Sequence, residues 1–342
     1  MFISKLVFDF FTIICYNFFM DDILKIVNAQ LKYKANDSFL RDKTEYIHVL
    51  NNVNLKIKRG EILSLVGESG CGKTTLGKSI LKLLNLNNGN IFFNGEDIEK
   101  FSKKQLFEYR KQVQIIFQNP YASLNPKMTV YDILKEPLDV HKWGNKQEIQ
   151  NRIYEICKLT GIDIKSLNRY SSEFSGGQRQ RIAIARSLVL NPQLIIADEP
   201  VSALDVSIQA QIINLLLDLK NKLNLTILFI SHDLSVVKYI SNYVAIMYLG
   251  QIIEFGKKDE IFNNYKHPYT KALMDSIPKI DNNLKEEKNT IQGEIPSLKT
   301  IQEGCKFFSR CPYSLPKCKD CTPSNIYISN SHYVNCFLYD VY

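Results

Sequence analysis

Nine consecutive residues carry the densest chemistry in the chain: Gly67, Glu68, Ser69, Gly70, Cys71, Gly72, Lys73, Thr74 and Thr75. They fit G-x-x-x-x-G-K-S/T in full, the pattern of a loop that cradles phosphates. Gly67, Gly70 and Gly72 let the backbone wrap so that several N–H groups point at one anion. Lys73 adds a point charge for the β- and γ-phosphates, and Thr74 offers a hydroxyl to Mg²⁺. A second constellation lies well downstream, at Asp198-Glu199-Pro200. An acid at the end of a buried strand is where a Mg²⁺ shell needs one, and a carboxylate directly after it can polarise an attacking water. Together the two motifs point to nucleotide binding and phosphoryl chemistry.

Such residues work only if regular elements hold them. Leu50–Lys58 alternates apolar and polar residues, as a half-buried strand does. After Arg59-Gly60, the short apolar run Glu61–Val66 reads as a buried strand feeding straight into the glycine-rich loop. A helical pattern follows, with Leu76, Ile80, Leu81 and Leu84 on one face. Leu194–Ala197 is a buried strand that delivers Asp198, and Pro200 closes it. Between the two motifs lies Phe174-Ser175-Gly176-Gly177-Gln178-Arg179-Gln180-Arg181. Ser175 and two glycines before a helix expected from about Gln178 to Leu190 make a second anion-binding helix start. Two such starts with a single Lys-bearing loop suggest that the second serves the nucleotide of another copy.

These residues resemble the nucleotide-binding subunits of ABC transporters, in which two subunits dimerise head to tail with ATP between one P-loop and the opposing signature. The resemblance makes Ser175, Gly176, Gly177 and Gln178 the signature loop. It makes Gln118, after the strand Val113–Phe117, the loop glutamine that touches Mg²⁺ and senses the membrane domains. Asp205 becomes the residue that communicates across the dimer, Glu199 the general base or water-orienting carboxylate, and His232 the switch histidine on the γ-phosphate. Thr74, Gln118 and Asp198 would surround Mg²⁺. Tyr46 is the candidate aromatic for stacking on adenine.

The last third adds a narrower likeness. Tyr243–Tyr248 and Gln251–Gly256 read as two strands joined at a turn, closing the ATPase core. Lys266-His267-Pro268-Tyr269-Thr270 and Ile277-Pro278 follow, then a hydrophilic linker from Lys279 to Thr290. That segment, with Tyr121–Pro126, is similar to the ATPases of dipeptide, oligopeptide and nickel importers. Five of the eight cysteines fall in the tail, at Cys305, Cys311, Cys318, Cys321 and Cys336. A reducing cytosol makes disulfides a poor reading, and clustered thiolates on a short loop suit a metal. The resemblance implies a 4Fe–4S cluster on Cys305, Cys311, Cys318 and Cys336. The Cys318-x-x-Cys321 spacing keeps Zn²⁺ as the alternative. Cys71 and Cys157 read as packing residues.

Composition is consistent with this. Hydrophobic residues make up 45% and charged residues 23%, which excludes disorder and a small disulfide scaffold. The net charge of +8 is dispersed, with eight Lys/Arg against seven Asp/Glu between 279 and 342. It gives no sign of a nucleic-acid partner. The apolar stretch 1–20 is interrupted by Lys5, Asp9 and Asn17, so it is a poor span. Met20 is the expected start, with 1–19 a non-native extension.

The fold expected is therefore α/β, a P-loop NTPase of ABC type with an antiparallel β subdomain, a helical subdomain around 128–190 and a small Cys-rich C-terminal extension. The divisions expected are 1–19, 20–262 and 263–342. The resemblance implies an ATPase on the cytoplasmic face of the membrane, docked on two membrane-spanning permease subunits. It also implies a second, related ATPase subunit and an external solute-binding protein. Peptides are the expected cargo, nickel or another small solute the alternative. A soluble ABC switch is the rival class, disfavoured by a single cassette without sustained heptads.

Overall fold

The computed structural model describes residues 22–34, 46–276, 296 and 303–340. The expected extension 1–19 and linker 279–290 lie outside these residues.

Two sheets organise the described chain. The first is antiparallel, in the order β2-β1-β4-β5, from β1 (Asp22–Lys34), β2 (Tyr46–Lys58), β4 (Asn88–Phe93) and β5 (Glu96–Asp97). β1 was not foreseen from sequence, because its inward alternation is interrupted. Pairing slips between Ile26 and Ala29, where Asn28 takes φ 50°. Asn52, on the partner strand, takes φ 53°. Asn is among the few side chains that tolerate this region, and such slips bend and twist a strand.

The second sheet carries the chemistry. Its order is β11-β12-β10-β9-β3-β8-β7-β6, with β3 (Ile62–Val66), β6 (Val113–Ile116), β7 (Leu194–Asp198), β8 (Thr226–Ser231), β9 (Tyr243–Tyr248), β10 (Gln251–Lys257), β11 (Ile326–Tyr327) and β12 (Tyr333–Val334). From β9 to β6 the strands run parallel, and β10, β12 and β11 continue antiparallel. Parallel strands are covered on both faces, and here two apolar clusters do so. β3 sends Leu63 and Leu65 to one cluster and Ile62 and Val66 to the other. The first cluster joins the antiparallel sheet and Leu76 and Ile80 of the helix Lys73–Ile80. The second holds the helices Val130–Val140, Lys146–Thr160 and Gly176–Leu188, which form the expected helical part.

The tail is built into this sheet. β12 pairs with β10 through Glu254↔Val334 and Phe255↔Tyr333. Beside that pairing the Glu254 carboxylate is fully buried and accepts from the Lys266 and His267 N–H groups and pairs with His332 Nε2. A buried carboxylate is tolerable only with such partners. No helix among the described residues is long and apolar enough to cross a membrane.

Candidate functional site

Strand register assembles the site. Val66, the last residue of β3, pairs with Ser231, and Asp198 pairs with Ile230. Ile116 pairs with Ala197 on the other side of β7. The carboxyl ends of four parallel strands are thus level, and Gly67, His232, Glu199 and Gln118 all emerge at one edge.

The glycine-rich loop closes around the lysine. Lys73, almost fully buried, donates from Nζ to the Gly67 carbonyl at 2.7 Å and the Glu68 carbonyl at 2.8 Å. Gly72 sits at φ 109°, and a Cβ there would lie 2.7 Å from the Val49 carbonyl oxygen. Only glycine fits that close approach. Cys71 is buried, and burial pushes its thiol up, as suits a packing residue. Tyr46 stands at the exposed start of β2, three residues ahead of Val49, with Lys32 Nζ 4.4 Å from its ring centroid.

The acidic side faces this loop. The Thr74 hydroxyl donates to Asp198 Oδ1 at 3.0 Å. Burial pushes the Asp198 carboxyl above the usual carboxylate range, and the Thr74 hydrogen bond pulls it back. A hydroxyl and a carboxylate converging beside a phosphate loop are the hard oxygen donors that fit Mg²⁺.

Glu199 is held on both sides. Gln118 Nε2 donates to its Oε2 at 2.8 Å, and His232 Nδ1 lies 3.2 Å from its Oε1. The Glu199 side chain is 17% exposed and that of His232 61%, so the pair opens to solvent through the histidine. Glu199 takes φ 46° although Pro200 follows. Both its bulk and a following proline disfavour that region, a cost of about 1–3 kcal/mol. The Glu199 N–H donates to the Ile230 carbonyl at 3.0 Å, and Ser202 Oγ donates to the Glu199 carbonyl at 3.1 Å. These bonds hold the strained turn that lifts the carboxylate out of the sheet. A carboxylate so fixed can take a proton from a water beside the loop.

The Ser175 segment forms its own helix start. Ser175 Oγ accepts from the Gln178 N–H, and Gln178 Oε1 accepts from the Ser175 N–H at 3.0 Å, a reciprocal cap. The helix begins at Gly176, two residues earlier than expected. A Cβ at Gly177 would lie 2.5 Å from Ile208 Cγ2. Asp205, exposed, precedes the helix Val206–Leu223 that carries Ile208. The two segments are thus packed together. A cavity of about 790 Å³ lined by Lys25, Lys56, Leu63, Phe92, Tyr243 and Phe255 includes none of these residues.

The tail requires a correction. Cys305, Cys311, Cys318 and Cys336 do not form a metal centre. Among the described residues, no group of three or more His, Cys, Asp or Glu side chains could hold a metal ion. This overturns the 4Fe–4S reading, and nothing among the described residues supports the Zn²⁺ alternative. Burial accounts for the thiols instead. Cys318 and Cys336 are buried, and Cys305 and Cys311 pack against the larger apolar cluster. Burial pushes the Cys305 thiol up to about 11 and the Cys336 thiol up to about 12, so both stay neutral near pH 7. Cys318 Sγ accepts the Leu315 N–H at 3.4 Å, and Cys321 is exposed.

Two tail residues that sequence reasoning passed over reach the phosphate loop. Tyr269 Oη accepts the Glu68 N–H at 3.0 Å, and the Arg310 guanidinium takes both Glu68 carboxylate oxygens, at 2.9 and 3.0 Å. Arg310 adjoins Cys311-Pro312, where the cysteines drew attention away from it.

Comparison with known proteins points to one family. The ABC transporter family profile matches residues 50–202, and the profile named oligopeptide/dipeptide transporter, C-terminal region, matches residues 253–318. The oligopeptide transport ATP-binding protein AppF of Bacillus subtilis (strain 168) is 44% identical over 322 residues, covering 93% of this chain and 98% of AppF. OppF of the same organism is 48% identical over 261 residues, 75% of this chain and 85% of OppF. Among solved structures, cbiO1 of Clostridium perfringens, part of the ABC transporter complex cbiONQ, superposes with TM-score 0.63 at 31% identity, covering 71% of this chain and 92% of cbiO1. The cassette MJ0796, solved as a dimer in a post-hydrolysis state with ADP and Pi, gives TM-score 0.61 at 29% identity, covering 69% and 98%.

Proposed function

The chain belongs to the ABC transporter family, and from that premise we propose that it is the ATP-hydrolysing subunit of an oligopeptide importer. The observation that carries this reading is Glu199, fixed between Gln118 and His232 at the strand edge beside the Lys73 loop. The peptide cargo is supported by the match over 253–318 and by the likeness to AppF and OppF.

The loop amides of residues 67–75 and the Lys73 ammonium bind the triphosphate, Lys73 exchanging the Gly67 and Glu68 carbonyls for phosphate oxygens. Thr74, Asp198 and Gln118 would hold Mg²⁺, which supplies charge neutralisation on the β- and γ-phosphates. Glu199 orients a water in line with the γ-phosphate and accepts its proton as the water oxygen bonds to phosphorus and the β–γ bridge breaks. His232 contacts the γ-phosphate and responds to its loss. Ser175, Gly176, Gly177 and Gln178, with Asp205, complete the site of a facing ATPase subunit, and Tyr46 stacks on adenine. The core ends near residue 262, and the extension occupies the remainder.

The family implies membrane permease partners. Two such subunits, a related but distinct second ATPase subunit and an external binding protein make up the assembly we infer, with this chain peripheral on the cytoplasmic face. Uptake in cells tests the reading. Lys73→Ala should abolish accumulation of labelled tri- to pentapeptides and leave nickel accumulation unchanged. Retained peptide uptake with lost nickel uptake would contradict it.

A further inference from the structure

Glu68 is the second residue of the phosphate loop, and its carboxylate is an obstacle to a polyanionic ligand. Its backbone N–H is anchored on Tyr269 Oη, so the residue cannot swing away without disturbing the loop. A bare carboxylate there would oppose an incoming triphosphate. The tail removes that charge. Arg310 meets both carboxylate oxygens with its planar fork, the geometry in which guanidinium binds carboxylate best. Its side chain is only 6% exposed, against 21% for that of Glu68. Arg310 Nη1 also donates to Tyr248 Oη at 3.3 Å. Tyr248 closes β9, the strand paired to β3, and Tyr269 belongs to the helix Pro268–Asp275. The groups that fix Glu68 therefore stand on the sheet and the extension, not on the loop itself.

We propose that Arg310 is a positioning residue for nucleotide binding, neutralising Glu68 so that the phosphate loop accepts ATP. The idea deepens the ATPase reading and rests on it. Removing Arg310 leaves a partly buried carboxylate without its counter-charge, and removing the carboxylate as well lifts the repulsion. A contact that acts only through packing has no such rescue, and a tail displaced by the unpaired charge would not recover affinity as salt rises, whereas repulsion of the triphosphate is screened.

The test is titration of the purified full chain with a fluorescent ATP analogue in Mg²⁺ buffer. Arg310→Ala, and Arg310→Gln with less loss of packing, should weaken binding by about tenfold. Adding Glu68→Gln to either should recover most of that loss. Arg310 variants binding within about twofold of wild type would overturn the proposal, on the scale where 1.4 kcal/mol is tenfold. Double variants as weak as the single ones would overturn it too, assigning the loss to a displaced tail. A wild-type chain that fails to bind the analogue would instead overturn the nucleotide reading.

Discussion

Asp198 shows how much one side chain at this site depends on its neighbours. Its carboxylate is buried at the end of β7, and burial favours the neutral acid. The Thr74 hydroxyl donates to it, Lys78 and Lys73 add attraction, and Glu199 next in the chain adds like charge. A cation bound between Thr74 and Asp198 would relieve both penalties. Asp198→Asn keeps the shape and the bond to Thr74 but removes the charge. The Mg²⁺ concentration for half-maximal ATP turnover should then rise by at least about tenfold, since charge count sets affinity in oxygen-ligand sites. An unchanged Mg²⁺ dependence would remove Asp198 from the metal's surroundings.

At the scale of elements, the helix Pro268–Asp275 ties the extension to the phosphate loop, and its start is pH-sensitive. Pro268 occupies the first turn, and His267 caps it by accepting the Tyr269 N–H on Nδ1 at 3.0 Å. That bond requires a neutral ring. Burial pushes His267 down to about 4 despite the Glu254 carboxylate nearby. The unfolded chain protonates this histidine near its ordinary 6.5, whereas the folded chain resists until about 4. Protons therefore favour the unfolded state between those values, and stability falls as pH drops through that window. Between pH 7 and pH 5 the loss from His267 should be about 2 kcal/mol. His267→Asn, whose side-chain oxygen can cap the same N–H, should lack this part of the slope in urea unfolding. Equal slopes would show that the ring's neutrality is not what links pH to stability here.

At the scale of the molecule, what was legible in the sequence was local. The Lys73 loop is contiguous, and the apolar strands before Gly67 and Asp198 are short runs, so pattern alone located them. Parallel pairing then brought their ends level without further information. β1 was not legible, because the slip near Asn28 breaks the alternation that marks a strand. Nor was the tail's contact with the loop. Arg310 and Glu68 are 242 residues apart, and nothing local in either segment announces a partner. The cysteines were misread for the converse reason. Their spacing suits a metal, but spacing does not reveal that Cys318 and Cys336 are buried or that Cys305 packs at the edge of a core.

Glu199 joins the strained strand end, the Gln118 loop and His232 in one hydrolytic site. The most direct test is steady-state ATP turnover by the full chain carrying Glu199→Gln, which keeps size and hydrogen bonding but cannot take a proton. Turnover should fall by about a hundredfold or more, with binding of ATP retained. Turnover within about threefold of wild type, on the scale where 1.4 kcal/mol is tenfold, would contradict the role of Glu199 and the hydrolytic mechanism built on it.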